Sequence, residues 1–319
     1  MESTAMRNAT IFVSEFVLHC EVTSQIRSFT VVALAIIYLV TLVGNILVLL
    51  VIILNHQLHT PMFVLIATLA VIDLLNNTNV IPKMMALLLF DTSPVPYGAC
   101  VLQMYVIFHL EIVECFLLAL MACDRYIAVI HPLRYPQLVN GRTVWAGILL
   151  CNILCGMPMT VYMIFLAELY FCRTNVLPIC FCDYGTMVLV SCNENAKYLG
   201  LLSTSSTTIG FGTLAIILFS YGKIAHAALK ISSSESKGKV FDVLITHLLV
   251  VLLFYLPLMI AFILPRIGVN LSTEAYNTLI TISAIVPPMI NPIIYSFRNM
   301  EMKNAIKKLF TGKRTFQQP

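Results

Sequence analysis

From Ser28 to Leu54 the chain runs without one Asp, Glu, Lys or Arg, and so do Thr143–Ala167, Tyr198–Gly222, Val243–Pro265 and Ala275–Phe297. A helix crosses the hydrocarbon core of a bilayer in about 20 apolar residues, so each of these runs is long enough to span it. Two more runs match in length but carry acids: Pro61–Phe90 holds Asp73, and Tyr97–Ile130 holds Glu111 and Glu114 before reaching Asp124 and Arg125. Seven spans follow. Only 11% of the residues are charged and 59% are hydrophobic, against about 25% charged in soluble domains. So few charges cannot build a water-facing surface. The expectation is an all-α membrane protein with a seven-transmembrane helix bundle over residues 28–298, an extracellular tail over 1–27 and a cytoplasmic segment over 299–319. In that last segment Met302, Ile306, Leu309 and Phe310 recur at helical spacing while Lys303, Lys307 and Lys308 take other positions. That pattern is a short amphipathic helix resting on membrane lipid.

Seven spans put the two termini on opposite sides. The segments on one side carry thirteen Lys and Arg, from Arg125 to Arg314, and those on the other carry six. By the positive-inside rule the carboxyl end is cytoplasmic and the amino end extracellular. Residues 1–20 lack the apolar core of a cleavable signal peptide, so the first span serves as its own insertion signal in the plasma membrane. The net charge of +4 is spread between spans and forms no patch for nucleic acid. Asn8-Ala9-Thr10 is a glycosylation acceptor on the outer tail, and Asn270-Leu271-Ser272 another close to the membrane. Asn76-Asn77-Thr78 also matches but sits within a span, where it is a chance match.

Cys172, Cys180, Cys182 and Cys192 crowd into the second outer loop, and Cys100 heads the third span. Outside the cell, cysteines pair by default. The expected bridges are Cys100–Cys182, tying the loop to the third helix, and Cys172–Cys192 within the loop. Connectivity is not fixed by sequence, and Cys20 and Cys180 are left without an assigned partner.

Ionisable side chains inside a membrane are costly, face the protein interior and usually serve function. Asp73 lies about 18 Å along its span from Pro61, and Glu114 about 16 Å from Arg125, at 1.5 Å per residue. The two acids share one depth, and Asn45 and Asn291 can join them. Such an oxygen-rich cluster suits a small cation such as Na+ or a shared proton. A neutral pair that packs the helices is the competing reading. Where the third span ends, Asp124 and Arg125 form a local ion pair that can break and free Arg125 for another group, as a bistable switch requires. A snorkelling arginine is the simpler alternative.

These residues carry a resemblance. The chain resembles the odorant receptors of the rhodopsin-like G-protein-coupled class from the first span through the amphipathic helix. It shares Gly44-Asn45, "LHTPMFVLIATLAVID" (58–73), "MACDRYIAVIHPLRY" (121–135), Ser220-Tyr221 and "PPMINPIIYSFRN" (287–299). Of the sixth-span string "KVFDVLITHL" it keeps Lys239, Phe241, His247 and Leu248. Cys123 and Ile130 depart from the usual Tyr and Cys, which suggests a divergent member, of the fish-like class. The resemblance implies that an odorant bound among the outer halves of the helices drives the sixth helix outward. A heterotrimeric G protein of the olfactory stimulatory type then docks inside and raises cyclic AMP. It also implies switch roles for Asp124, Arg125, Tyr126, Tyr221, Lys239, His247, Asn291 and Tyr295, and a cation pocket at Asp73 and Glu114.

Candidate ligand contacts are Met104, Phe108, Glu111 and Ile112 on the third span, recurring at helical spacing, with Ser205, Ile209, Tyr255, Met259, Phe262 and Thr281 on spans five to seven. Apolar walls with few polar anchors suit a small volatile molecule. Arg266 resembles an arginine that fish-like odorant receptors place there to hold a carboxylate, whereas Glu111 would hold an amine; the sequence leaves both open. His109 reads as a hydrogen-bonded structural residue. There is no metal-ligand spacing, nucleophile elbow or phosphate loop, so an enzyme is not expected, and no cofactor is required. The seventh span has no lysine for a Schiff base, which excludes a light receptor. A rhodopsin-like receptor for an endogenous amine, lipid or peptide is the alternative, and an ion-coupled transporter a distant one.

Overall fold

The charge-poor runs fold as seven long helices in a computed structural model of the chain, which describes residues 13–311 apart from 21, 23, 91, 92, 173, 265–268, 270 and 271. The long helices are α1 (Ser24–Leu54), α2 (Pro61–Phe90), α3 (Tyr97–Ile130), α5 (Gly141–Ala167), α7 (Asn195–Leu229), α8 (Ser234–Ile263) and α9 (Thr273–Arg298). Short helices α4 (Tyr135–Leu138) and α6 (Tyr184–Val190) lie in connections, and α10 (Met300–Thr311) follows the last span. The bounds of α2 and α3 coincide with the runs in the sequence. Helices α7 and α8 extend well past theirs, because a helix continues into polar residues such as Lys223 and Lys237 until a cap or turn stops it. Starts are set by caps: Asn140 Oδ1 accepts from the Arg142 and Thr143 amides, and Thr143 Oγ1 accepts from the Asn140 amide, a reciprocal box opening α5. Ser272 caps α9, and Asn299 Oδ1 accepts from the Met302 amide where α10 departs from α9.

The packing shows which solvent the bundle expects. On α1 the apolar stripe Phe29, Val32, Ile36, Leu39, Val43, Ile46, Leu50 and Ile53 faces outward, with Phe29 76% exposed, while the polar Thr41 and Asn45 are buried. A water-soluble helix does the reverse. All seven long helices are long and apolar enough to cross a membrane. Helix α3 runs through the middle, in contact with α2, α5, α7 and α8.

At the end where α3 begins, a small sheet closes the bundle. Strand β1 (Glu15–Leu18) pairs antiparallel with β2 (Ser93–Pro96) and parallel with β3 (Val176–Leu177). The all-α expectation does not include this sheet; its strands are too short and too far apart in sequence to show a period. Three disulfides stand at the same end. Cys100–Cys182 and Cys172–Cys192 are the expected bridges, and Cys20 pairs with Cys180 across a separation of 160 residues. That third bridge ties the end of β1 to the loop carrying β3. Asn8 and Asn270 lie outside the described residues.

Candidate functional site

Three polar or concave regions follow one another along the axis of the bundle. At the disulfide end, one face of α3 presents Phe108, Glu111, Ile112 and Cys115 to a cavity. Their spacing of three and four residues aligns them on one stripe. Opposite stand Tyr162 of α5, Ser205, Ser206, Ile209 and Gly210 of α7, and Tyr255, Leu258 and Met259 of α8. The space between them is about 40 Å³, whereas drug-sized ligands occupy pockets of about 300–1,000 Å³. A ligand of more than a few atoms must therefore displace side chains. Met259 is the adaptable one, being unbranched and flexible, and it stands where a Cβ on Gly210 would lie 3.0 Å from its Cε.

The polar groups of this cavity are oriented. The Tyr162 and Ser205 hydroxyls are hydrogen-bonded to each other. Tyr255 and Thr213 share a hydroxyl–hydroxyl bond of 2.7 Å. Glu111 is the one charged residue lining the cavity among the described residues. Helix α6 sits against this cavity: the Tyr184 ring meets those of Tyr162 at 4.9 Å and Phe108 at 6.5 Å. Residues Tyr184 through Val188 are all buried, so this connection between α5 and α7 is packed into the bundle. Asp183 caps α6, accepting from the Thr186 amide and hydroxyl at 2.9 and 3.1 Å. Burial pushes the Asp183 carboxyl up from its ordinary range, against those bonds, which favour the anion.

Of the expected ligand contacts, Phe108, Glu111, Ile112, Ser205, Ile209, Tyr255 and Met259 line this one cavity. Met104 does not; it is packed in the core at 1% exposure. Thr281 lines a different cavity, with Cys20, Cys180 and Glu274, between α1, α2 and α9. Arg266 and the side chain of Phe262 lie outside the described residues. Cys115, Tyr162, Ser206, Gly210 and Leu258 escape the sequence reading. Cys115 and Leu258 extend the helical stripes already identified, but nothing local marks Tyr162 or Gly210. His109 turns away toward α5, bonded to Asn152 at 3.2 Å and in contact with Cys155 Sγ at 3.2 Å.

Midway along the bundle, three helices are joined by asparagines. The Asn291 amide donates to both Asp73 carboxylate oxygens, at 3.3 and 3.2 Å. Asn77 donates to Thr41 Oγ1 at 2.8 Å and to the Ile285 carbonyl at 3.3 Å. Asn45, expected among cation ligands, directs its amide to the carbonyls of Thr41 and Pro288, at 3.0 and 2.9 Å. Asn76, read as a chance glycosylation match, donates to the Ala284 carbonyl at 3.0 Å. Glu114 Oε1, Asn77 Oδ1 and Asn291 Oδ1 are buried with no hydrogen-bond partner among the described residues. Oxygen atoms of this kind suit a hard cation. No cluster of three or more His, Cys, Asp or Glu capable of holding a metal ion forms among the described residues.

At the far end of α3, Arg125 Nε donates to Asp124 Oδ2 at 2.9 Å, and Tyr135 of α4 donates to the other oxygen at 2.8 Å. Both oxygens of Asp124 are thus engaged, and its side chain is 3% exposed against 17% for Arg125. Nearby, His247 of α8 and Tyr295 of α9 bring their rings within 6.4 Å. His247 Nε2 and the Tyr221 and Tyr295 hydroxyls are buried without partners among the described residues. Tyr126 contacts the His131 ring at 6.2 Å, outside this group. The side chain of Lys239 lies outside the described residues.

A seven-helix membrane bundle with a small hydroxyl-bearing cavity toward one end and a hydrogen-bonded charge pair at the other has the layout of a receptor. The sequence model of the family described as olfactory receptors matches residues 34–313, and the chain belongs to that family. It is 36% identical over 301 residues to human olfactory receptor 10A5, covering 93% of this chain and 94% of that receptor. Human olfactory receptor 10A2 is 37% identical, over 89% of this chain and 93% of its own. Mouse olfactory receptor 2C1 is 36% identical over 85% and 86%. The protein is therefore a multi-pass membrane receptor of the odorant-activated, G-protein-coupled kind, and not an enzyme.

Proposed function

We propose that this receptor answers small amphipathic amines, held in the cavity between α3, α5, α7 and α8 with the Glu111 carboxylate as counter-ion. The observation that carries the reading is the placement of Glu111: it is the sole charged residue in an otherwise apolar and hydroxyl-bearing lining among the described residues. An ammonium ion entering such a site exchanges water for a carboxylate in a medium of low dielectric, where the attraction is strong. The carboxylate reading through Arg266 keeps its support from sequence alone.

Ligand entry displaces Met259 and with it α8, whose middle carries His247 beside Tyr295. Loss of the contacts there releases Arg125 from Asp124 to engage an olfactory stimulatory G protein, raising cyclic AMP. Tyr221, buried near His247 and Tyr295, belongs to the same group, and the switch roles of Lys239 and Tyr126 keep their support from the sequence resemblance. The amino end is outside and the carboxyl end in the cytoplasm, which the three disulfides at the β1 end and the lysine-rich opposite end support. A sodium ion on Asp73 and Glu114 is supported by the unpartnered oxygens of Asn77, Asn291 and Glu114 itself. Membership of the fish-like class is supported by Cys123, Ile130 and Arg266.

The test is a cyclic-AMP reporter cell challenged with matched amines, alcohols, ketones and acids. Glu111→Gln should abolish amine responses and spare neutral agonists, and Arg266→Ala should leave amine responses intact. Equal potency of amines on the wild type and the Glu111→Gln receptor would refute the anchor. An Arg125→Ala receptor should reach the cell surface and stay silent to every agonist.

A further inference from the structure

At the end of the bundle remote from the disulfides, α1, α9 and α10 leave a slot of about 360 Å³. Its walls are Leu47 of α1, Pro292, Ile293 and Phe297 of α9, and Ile306 of α10, and its edge carries Lys303 and Lys307. The slot has a structural cause. Gly44 lets α1 close on Pro292, where an added Cβ would come 2.8 Å from the ring, and about two turns further on α10 departs from α9 at Asn299. The three helices diverge below a tight contact, and the gap between them is apolar except for Ser296.

The surroundings say what fills it. Ile293 and Phe297 are exposed, the latter at 70%, on a helix long and apolar enough to span a membrane. The slot therefore opens toward hydrocarbon, and a lipid acyl chain is the occupant of matching polarity. Its edge is cationic. Neither Lys303 nor Lys307 meets a carboxylate among the described residues, and Glu301 of the same helix lines a separate groove, with Asn55 and Lys308. Two ammonium groups beside an apolar slot complement a negatively charged headgroup joined to an apolar chain.

We propose that the slot is a binding site for one anionic diacyl phospholipid, with an acyl chain between α1 and α9 and the headgroup phosphate on Lys303 and Lys307. The site would couple the lipid to α9, the helix that also holds Asn291 and Tyr295. It is independent of the odorant and of the direction of signalling.

The experiment is native mass spectrometry of the purified full-length receptor in detergent, titrated with phosphatidylserine or phosphatidylcholine of identical chains. The wild type should retain one phosphatidylserine with about tenfold or greater preference, the scale expected for two lysines near a charged lipid. Lys303→Gln/Lys307→Gln should bring the preference to parity while phosphatidylcholine retention stays unchanged. Ser296→Trp should fill the slot and reduce retention of both lipids, and Lys223→Gln on α7 combined with Lys230→Gln just past its end should change neither. Thermal unfolding of each variant checks that it is folded. Two results would overturn the site: a preference that survives in the double Gln receptor, or competition by glycerophosphoserine, which has no chains, equal to that of the lipid. None of these readouts involves an odorant, so failure here and failure of the amine reading are separate.

Discussion

The side-chain amide of Asn45 donates to the carbonyl of Pro288 at 2.9 Å, and that carbonyl is the one Pro292 cannot serve. In an α-helix the amide of residue i bonds the carbonyl of residue i−4, and proline has no amide hydrogen. Pro292 thus frees the Pro288 carbonyl, and Pro288 in turn frees the Ala284 carbonyl, which accepts from Asn76 at 3.0 Å. Inside a membrane no water can satisfy those carbonyls, so neighbouring helices must. The prolines of α9 and the asparagines of α1 and α2 are two halves of one arrangement, a continuous helix whose freed carbonyls are served by side chains from outside it.

Replacing either asparagine should therefore loosen α9. Asn45→Ala and Asn76→Ala are each expected to cost about 1 kcal/mol, the scale of interhelical hydrogen bonds in membrane proteins. Because they serve different carbonyls, the effects should add in the double variant. Thermal unfolding of purified receptor, followed with a thiol-reactive dye on the buried cysteines, measures this; a double variant no less stable than either single one would contradict it.

Gly44 faces Pro292 so closely that any side chain must push α1 from α9. Gly44→Val should destabilise by about 1–3 kcal/mol, as overpacking does, and lower surface expression. Gly222→Ala, where a Cβ meets nothing within 4 Å, should be neutral or slightly stabilising. Flow cytometry of tagged receptors compares the two, and equal expression would show that the close approach is unimportant.

Tyr135 holds one oxygen of Asp124 while Arg125 holds the other. Tyr135→Phe removes a hydrogen bond to a charged group, worth about 1.5–3 kcal/mol, and frees the carboxylate to move with its partner. Basal cyclic AMP should rise several-fold without added odorant. A basal signal unchanged at matched surface expression would mean the tyrosine does not restrain the pair.

The Asp183 carboxyl is held above its ordinary value by burial. A group with a raised folded-state pKa binds more protons folded than unfolded, so its stabilisation is full below its ordinary value of 3.8 and is lost as pH rises through the raised one. Asp183→Asn keeps an acceptor at the N-cap of α6 and removes the titration. The melting temperature of wild type minus that of the variant should be largest at acid pH and shrink toward neutrality; a difference constant with pH would exclude the effect.

Much of the candidate site is legible along single helices and little of it across them. Glu111 and Ile112 are found because a stripe of period 3.6 marks the inner face of α3, and Ile209 and Met259 mark facing stripes on α7 and α8. Met104 sits on the same stripe of α3 yet is absorbed into the core. Thr281 lines another cavity, because the rotation of α9 is set by its packing against α1, α2 and α8 rather than by its own composition. Gly210 and Tyr162 border the cavity only because α5 and α7 approach α3 there.

The sequence by itself determined the seven spans, the cysteine-rich end and the amphipathic closing helix. Each is carried by residues near one another in the chain: apolar transfer free energy summed over a span, cysteines clustered in one loop, and a helical period in the closing segment. Only the tertiary structure decided that Cys20 meets Cys180, that β1 lies between β2 and β3, and that Asn45 and Asn76 serve the proline-freed carbonyls of α9. Those pairings join residues 75 to 243 positions apart. Such a distance carries no local signal, since an unpaired carbonyl is satisfied by whichever donor the packing of helices brings to it.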